Sequence, residues 1–436
     1  MNNWQSTYDS KRLSLPEAAQ KIQSHDKVWA GGLLSVPVLF LKTLEKRYTE
    51  LEQCQLFVGL LPCPFDLLKP EYRPHIEVCT LFMGPCERKA YPHGNVTHIN
   101  FHFSNIDALM SRLAPNVMAV EVTPPNAEGY MSLGACGGVG NYEALKHAKT
   151  IIAVVNNQQP FIGPEENMIH VDDVSWITEG HHPIAAPAAE APSELEVAIA
   201  KHVSPLVNDG STIQIGIGTI ANAIGNELLD KKDLGIHSEM FTESMFELCK
   251  AGVITGARKN YKPNSIVAGF AAGSQELIDY VNNNPNIEMR NIKDVVDPVE
   301  VGKNDNFVGI NSCLMTDLTG QVASEGIGFQ QISGSGGQLD FVRGSHLSNN
   351  GLNILVLAST FKGKTGVEST IRLSLPTGTT VTTPRNDVMV IVTEHGVADL
   401  RGLTVPQRVK ALTAIAHPDF RDELYQGAIE SGLIGG

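Results

Sequence analysis

The sequence predicts an α/β protein made of two related open α/β domains, each built on a mainly parallel sheet. Three observations carry this reading. Apolar strand-like runs alternate with helix-like segments: KVWAGGL precedes VPVLFLKTLEKR, STIQIGIG precedes IANAIGNELLDKK, and NILVLAST follows a loop. Alternation of this kind is the mark of βα units laid on a parallel sheet. A self-similar pattern recurs about 190 residues apart, and such repeats are to be settled before any fold is assigned. The chain has 436 residues, enough for roughly two or three domains, each with its own core.

The repeat is specific. In the first half the strand VMAVEVT leads to Asn126-x-x-Gly129-x-x-Ser132. In the second half FVGINSCLMT leads to Asp317-x-x-Gly320-x-x-Ala323. Each turn is followed by a glycine-rich stretch, LGACGGVG (133–140) or ISGSGGQ (332–338), and then by an apolar strand, TIIAVVN or LNILVLAS. Earlier in each half a glycine pair precedes a helix, Gly31-Gly32 and Gly216-x-Gly218. The Ala/Pro-rich segment at 181–194 is the natural linker. The expected domains are therefore 1–184 and 195–436, joined by 185–194.

Composition excludes several classes. The net charge is −14, which opposes the phosphate neutralisation that dominates nucleic-acid affinity. It does not oppose a small anionic ligand, because a local field can differ from the global one. Charged residues make up only 18% of the chain, below the usual quarter or so, which hints at surface buried in a homodimer or higher homo-oligomer. The seven cysteines are scattered with no C-x-x-C pair, as expected for reduced thiols in the cytoplasm. The opening residues MNNWQSTYDSKRLS lack an apolar stretch, so no secretory signal is expected. No apolar run reaches the length of a membrane span.

Several motifs are candidates for chemistry. Gly216-Ile217-Gly218-Thr219-Ile220-Ala221 follows a strand and opens a helix. It is compatible with a structural tight turn, with an anion or oxyanion loop, or less well with a dinucleotide fingerprint. Ala358-Ser-Thr-Phe-Lys-Gly363-Lys364-Thr365 approaches a P-loop but has Ala where the motif needs Gly and no helical period after it; it reads as a solvated loop. Ser333-Gly334-Ser335-Gly336-Gly337-Gln338 allows close backbone approach to a ligand, or is simply a packed turn. His181-His182 stands alone by the linker, no His/Cys set has zinc spacing, and there is no G-x-S-x-G elbow. Carboxylates remain as nucleophiles. Glu239 follows the strand-like LGIH and precedes a helical pattern, where α/β proteins present side chains to ligands. Glu243 is its rival, and a charge at a helix start is the plain alternative for either.

Taken together, these segments resemble the acetyl-CoA hydrolase/transferase family, the branch of class I CoA-transferases that includes 4-hydroxybutyrate and butyrate:acetate CoA-transferases. The resemblance runs over nearly the whole chain: VEVTPPNAEGYMSLG (120–134), VVNNQQPFIG (154–163), LGIHSEMF (234–241), INSCLMTDLTGQV (310–322), SGSGGQLDFVRG (333–344), VTTPRNDVMVIVTEHGVADLRG (381–402) and IAHPDFRDEL (415–424). It implies a CoA-transferase fold and ping-pong transfer of CoA from an acyl-CoA to a small carboxylic acid such as acetate, butyrate, 4-hydroxybutyrate or a dicarboxylate like itaconate. The nucleophile's place falls on Glu239. Oxyanion donors fall on Gly336-Gly337 and near Ile217, between Gly216 and Gly218, with Ser335 and Asn283 close to the bound substrate.

Coenzyme A enters as a substrate, with no tightly bound cofactor and no metal. Its phosphates need cations, and Arg258, Lys259 and Lys262 form the densest nearby cluster, with Arg343 and Arg401 as further options. Two positions depart from the family pattern: Asn126, where members carry Asp, and Glu243-Ser244, where Asp-Gly is common. The second bears on the acyl pocket. An acyl-CoA hydrolase using the same Glu239, or a non-catalytic sugar-phosphate-isomerase-like binding protein, are the alternatives.

Overall fold

In the computed structural model, residues 4–186, 191–363 and 366–435 are described. Part of the expected linker (187–190) and the end of the P-loop-like stretch (364–365) lie outside them. The chain divides into two compact units. Unit 1 comprises Met1–Ala188 and Val267–Val295; unit 2 comprises Ala189–Ile266 and Val296–Gly436.

Unit 1 carries a seven-stranded parallel sheet. Its strands are β1 (Lys27–Trp29), β2 (Cys54–Val58), β3 (Ile76–Thr80), β4 (Thr97–His98), β5 (Val117–Val122), β6 (Thr150–Val155) and β7 (Trp176–Glu179), in the order β4-β3-β2-β1-β5-β6-β7. All six residues of β5 are buried, as parallel strands covered on both faces require. Unit 2 contributes β8 (Thr212–Ile215), β9 (Gly235–Phe241), β10 (Phe307–Ser312), β11 (Leu352–Val356), β12 (Val390–Thr393) and β13 (Gly396–Asp399). They lie in the order β9-β8-β10-β11-β12-β13, parallel except for the β12–β13 pair. The sequence's expectation of two related, mainly parallel α/β modules is met: β2-β1-β5-β6-β7 and β9-β8-β10-β11-β12 have the same topology.

The repeat extends to single hydrogen bonds. After β5, Asn126 Oδ1 accepts from the N–H groups of Glu128 and Tyr130, and Gly129 takes φ +91°. After β10, Asp317 Oδ1 accepts from Thr319 and Gln321, and Gly320 takes φ +94°. Both are turns closed by a side-chain acceptor around a glycine with positive φ. Asn126 serves as well as an Asp would, because only an acceptor oxygen is used.

The segment 267–295 returns to unit 1 by backbone hydrogen bonds. Ile292 N–H donates to Gly138 O at 2.8 Å, Met289 N–H to Gly163 O at 2.9 Å and Asn283 N–H to Phe161 O at 2.8 Å. A Cβ on Gly138 would lie 2.0 Å from Arg290 O and 2.4 Å from Gly269 O. The first glycine-rich stretch therefore serves backbone-to-backbone packing.

Gly138→Ala is expected to lower stability by about 1–3 kcal/mol through overpacking, read as a fall in thermal unfolding temperature. An unchanged midpoint would show that the returning segment does not depend on this approach.

Candidate active site

Strand order reverses at β8, which lies between β9 and β10. In open α/β sheets the crevice beyond the carboxyl ends of the strands at such a point is where ligands bind. The turn Gly216-Ile217-Gly218 occupies this position, between β8 and the helix α1 (Thr219–Asn226). It is braced on two sides. Gly216 N–H donates to Ile310 O at 2.8 Å, and the Thr219 hydroxyl donates to Glu196. Gly218 has φ +115°, a conformation open to glycine at little cost. The Ile217 side chain is 56% exposed.

Glu239 stands near the end of β9. Ile213 of β8 pairs with Ile236; counting on in register brings Gly216 level with Glu239. The second glycine loop meets the carboxylate: Gly337 N–H donates to Glu239 Oε2 at 2.7 Å. A Cβ on Gly337 would lie 2.5 Å from that oxygen, so any larger residue would displace it. Gly336 has φ +53°, which turns the chain into α3 (Gln338–Leu347). Gly337 is the N-cap of α3 and has no side chain to cap it; the Glu239 carboxylate takes that place at the positive end of the helix. α3 is itself wedged: Phe341 stacks on Phe307 at 5.9 Å, and Gly344 lies against Val301. The donor at Gly337 is therefore fixed before any ligand arrives.

Burial pushes the Glu239 carboxyl up to about 7. The Gly337 N–H opposes the rise and the Asp340 carboxylate adds to it. Near neutrality the group is close to half ionised, a poise suited to a nucleophile that must also be a leaving group. Asp340, buried in the first turn of α3, was not singled out from sequence; its only signal there is its place three residues after Gly337.

Glu243 has a different position. It is the first residue of α2 (Glu243–Lys250), the helix-start site of the plain reading. Ser244 is buried against Gly225 of α1: a Cβ there would lie 2.4 Å from Ser244 Cβ. Ser335 precedes Gly336, and its carbonyl accepts from Gln338 N–H at 3.2 Å.

The basic cluster is set apart from Glu239. Thr255 and Gly256 bond to Leu234 O, so the loop that carries the cluster starts at the amino end of β9. Lys259 is buried along Gly235, and its ammonium donates to Ile236 O at 2.9 Å and Ser265 O at 2.6 Å. The Arg258 guanidinium covers Gly210, ahead of β8, and Lys262 lies 5.9 Å from the Tyr261 ring centroid. Four strand residues, about 13 Å, separate Gly235 from Glu239. Arg343 pairs with Asp387 at 3.6 Å and Arg401 with Asp399 at 2.5 Å. Asn283 belongs to unit 1, in an exposed turn with φ +53°. The structure thus brings Glu239, Gly336 and Gly337 together, with the 216–218 turn on the neighbouring strand. It does not gather the cations there.

The repeat explains why only one module carries the carboxylate. Val28 pairs with Leu56, which brings Gly31 level with Gly59, the counterpart of Glu239. A Cβ on Gly59 would lie 2.8 Å from Gly32 Cα, so unit 1 has no space there for any side chain. Other nucleophiles are poorly placed: burial pushes the Cys136 and Cys313 thiols up to about 12. Among the described residues, no three His, Cys, Asp or Glu side chains gather as metal ligands would, and no helix is long and apolar enough to cross a membrane.

The chain also resembles known proteins over nearly its whole length. Residues 1–187 match the acetyl-CoA hydrolase/transferase N-terminal domain and residues 273–428 the C-terminal domain. The chain is 38% identical to the 4-hydroxybutyrate coenzyme A transferase of Clostridium kluyveri, over 97% of this chain and 98% of that one. It is also 38% identical to the succinyl-CoA:cyclohexane-1-carboxylate CoA transferase of Geobacter metallireducens, over 98% and 97%. RipA from Yersinia pestis superposes with a TM-score of 0.92 at 31% identity, covering 99% of this chain and all of that one. With family models matched in both halves and relatives aligned end to end, the chain belongs to the acetyl-CoA hydrolase/transferase family.

Proposed function

We propose that the protein is a CoA-transferase that moves CoA from an acyl-CoA to a small carboxylic acid, with Glu239 as the nucleophile. The observation that carries this is the Gly337 N–H held 2.7 Å from the Glu239 carboxylate at the start of α3.

The chemistry follows from exchanging one carboxylate for another. The Glu239 carboxylate attacks the acyl thioester carbon. The C–S bond breaks, CoA leaves as thiolate, and an acyl-glutamyl anhydride remains. The thiolate then attacks the Glu239 carbonyl carbon, the C–O bond breaks, and the acid leaves as its carboxylate. Glu239 now holds CoA as a thioester. An incoming carboxylate attacks that thioester and the same steps run backwards, returning Glu239. No water is consumed, no proton is transferred in net, and no general base is needed because the nucleophile reacts in its ionised form.

Each half needs its own oxyanion support. When CoA attacks the glutamyl carbonyl, charge grows on a Glu239 oxygen, where the Gly337 N–H already points. When Glu239 attacks the substrate, charge grows on the substrate carbonyl, and the backbone N–H of Ile217 in the rigid 216–218 turn is the proposed donor. One such donor is worth roughly 3–4 kcal/mol. Binding energy from the remote CoA nucleotide is available to distort and orient the reacting thioester.

Glu239→Gln is expected to abolish exchange while retaining the fold. Wild type incubated with acyl-CoA alone should gain a CoA-sized mass on the Glu239 peptide, and the variant should not. An adduct on Glu243 instead would move the nucleophile, and thiol release without any acceptor acid would make the enzyme a hydrolase. Gly337→Ala keeps the backbone N–H but sets a methyl against Glu239 Oε2, so it should displace the carboxylate and lower kcat roughly 10²-fold; full activity would count against the close approach. The third expectation concerns pH. The reactive form is the ionised one, so kcat/KM should rise with pH through about 7 and level above it; a profile flat down to the ordinary carboxylate range would contradict a desolvated nucleophile.

A further inference from the structure

The loop that carries the Gly337 donor also contains Gly334 and Gly336. A short loop so rich in glycine visits many backbone conformations unless its ends are pinned. The packing of Phe341 and Gly344 fixes the body of α3, and a second set of contacts fixes the turn that leads into it.

That set comes from Thr382 and Thr383, both buried. The pair runs beside Val322. The N–H groups of Thr382 and Thr383 donate to Val322 O at 2.9 and 3.1 Å, and Val322 N–H donates to Thr383 O at 3.1 Å. Thr383 serves the end of the glycine loop. Its hydroxyl oxygen accepts from the side-chain amide of Gln338, the residue after Gly337, at 3.1 Å. Gln338 N–H donates to Ser335 O at 3.2 Å, so this bond grips the turn 335–338. Thr382 serves the start. Its hydroxyl donates to Glu325 Oε1 at 3.1 Å and accepts from Ser324 N–H at 2.9 Å. The Glu325 carbonyl in turn accepts from Ile332 N–H at 2.8 Å and from Ser333 N–H at 3.1 Å. The Ser333 hydroxyl adds a bond to Ser324 O at 3.1 Å.

Two adjacent residues, 57 positions beyond Glu325 and 45 beyond Gln338, thus reach both ends of the loop. The strap they form is itself tied down. Arg408 Nη1 donates to Arg385 O at 2.8 Å and to Thr319 O at 3.0 Å, which joins the chain after Thr383 to the turn at 317–320. All of these residues lie in unit 2. An apolar pair could fill the space between Gln338 and Thr383 without fixing a direction; a hydrogen bond fixes one. A buried amide without its acceptor is costly, so Gln338 is held over Thr383.

We propose that Thr382 and Thr383 are positioning residues for CoA transfer: one dipeptide pins both ends of the 332–338 loop and so sets where the Gly337 N–H meets Glu239. The kinetic consequence rests on the CoA-transferase reading; the placing of the donor does not. Thr383→Val nearly keeps the shape of the side chain and removes the oxygen. Gln338 then loses its acceptor, the turn relaxes, and the Gly337 N–H moves off the carboxylate. A carboxylate that loses a donor holds its proton more tightly. The Glu239 midpoint, about 7 in the wild type, therefore moves up.

The test follows Thr383→Val, Thr383→Ser and Thr382→Val in the full-length protein. Transfer from butyryl-CoA to acetate gives kcat and KM. Infrared spectra give the Glu239 midpoint without turnover, from the carboxylic-acid C=O band that Glu239→Gln lacks. Thr383→Val and Thr382→Val should each lower kcat roughly tenfold with KM within about twofold, and shift the midpoint upward. Thr383→Ser keeps the hydroxyl and should recover kcat to within about threefold of wild type, with the midpoint restored. Full kcat and an unmoved midpoint in Thr383→Val overturn the proposal. So does a Thr383→Ser as slow as Thr383→Val, because the hydroxyl would then not be the group that matters. A slow Thr383→Val with an unmoved midpoint overturns the route through Gly337. If Thr383→Val does not fold, its combination with Gln338→Met leaves neither buried partner unpaired. That double variant should show the same slow kcat and raised midpoint, and wild-type values in it overturn the proposal. If the wild type transfers no CoA while Thr383→Val still raises the midpoint, the CoA-transferase reading fails and the strap stands.

Discussion

A carboxylate taken out of water must be given hydrogen bonds or it takes up a proton. At Glu239, among the described residues, a single backbone N–H donates, that of Gly337, and the packing around α3 in unit 2 keeps that donor in place. Gly337 has no side chain because the oxygen occupies the space a Cβ would need. Phe307 and Phe341 stack, and Gly344 admits Val301, so that α3 cannot tilt away. With one donor against burial, the group stands between its two protonation states near neutrality.

The two modules show how one architecture supports different duties. Both place a glycine-containing turn after the first strand and an acceptor-closed turn after the fifth or its equivalent. At the level of Glu239, unit 1 has Gly59 pressed on Gly32. One module is therefore filled at the switch point and the other open. The glycine-rich stretches diverge in the same way. In unit 1 Gly138 accommodates the carbonyls of a returning chain segment; in unit 2 Gly337 accommodates a carboxylate. Backbone proximity is the shared property, and what approaches the backbone differs.

Much of this was legible in the residues. The alternation of strand and helix patterns, the Asn126/Asp317 correspondence and the placing of Glu239 at a strand end all rest on local signals, and local signals survive in a linear sequence. The meeting of Glu239 with Gly337 did not, because the two lie 98 residues apart. The basic cluster misled for a related reason. Arg258, Lys259 and Lys262 follow Glu239 closely in sequence, but a helix and a return to Leu234 carry them to the other end of the strand.

The return of residues 267–295 to unit 1 has a consequence for how the chain is made. Synthesis proceeds from the amino end and domains generally fold as they emerge. Here the first sheet can form early, but the ridge at Gly138 stays uncovered until a piece more than a hundred residues downstream of Gly163 has left the ribosome. Until then the nascent chain exposes backbone carbonyl acceptors at 138, 161 and 163. Contacts this distant in sequence are formed slowly, so the period before residue 295 appears is when the nascent protein most needs protection from pairing with its neighbours.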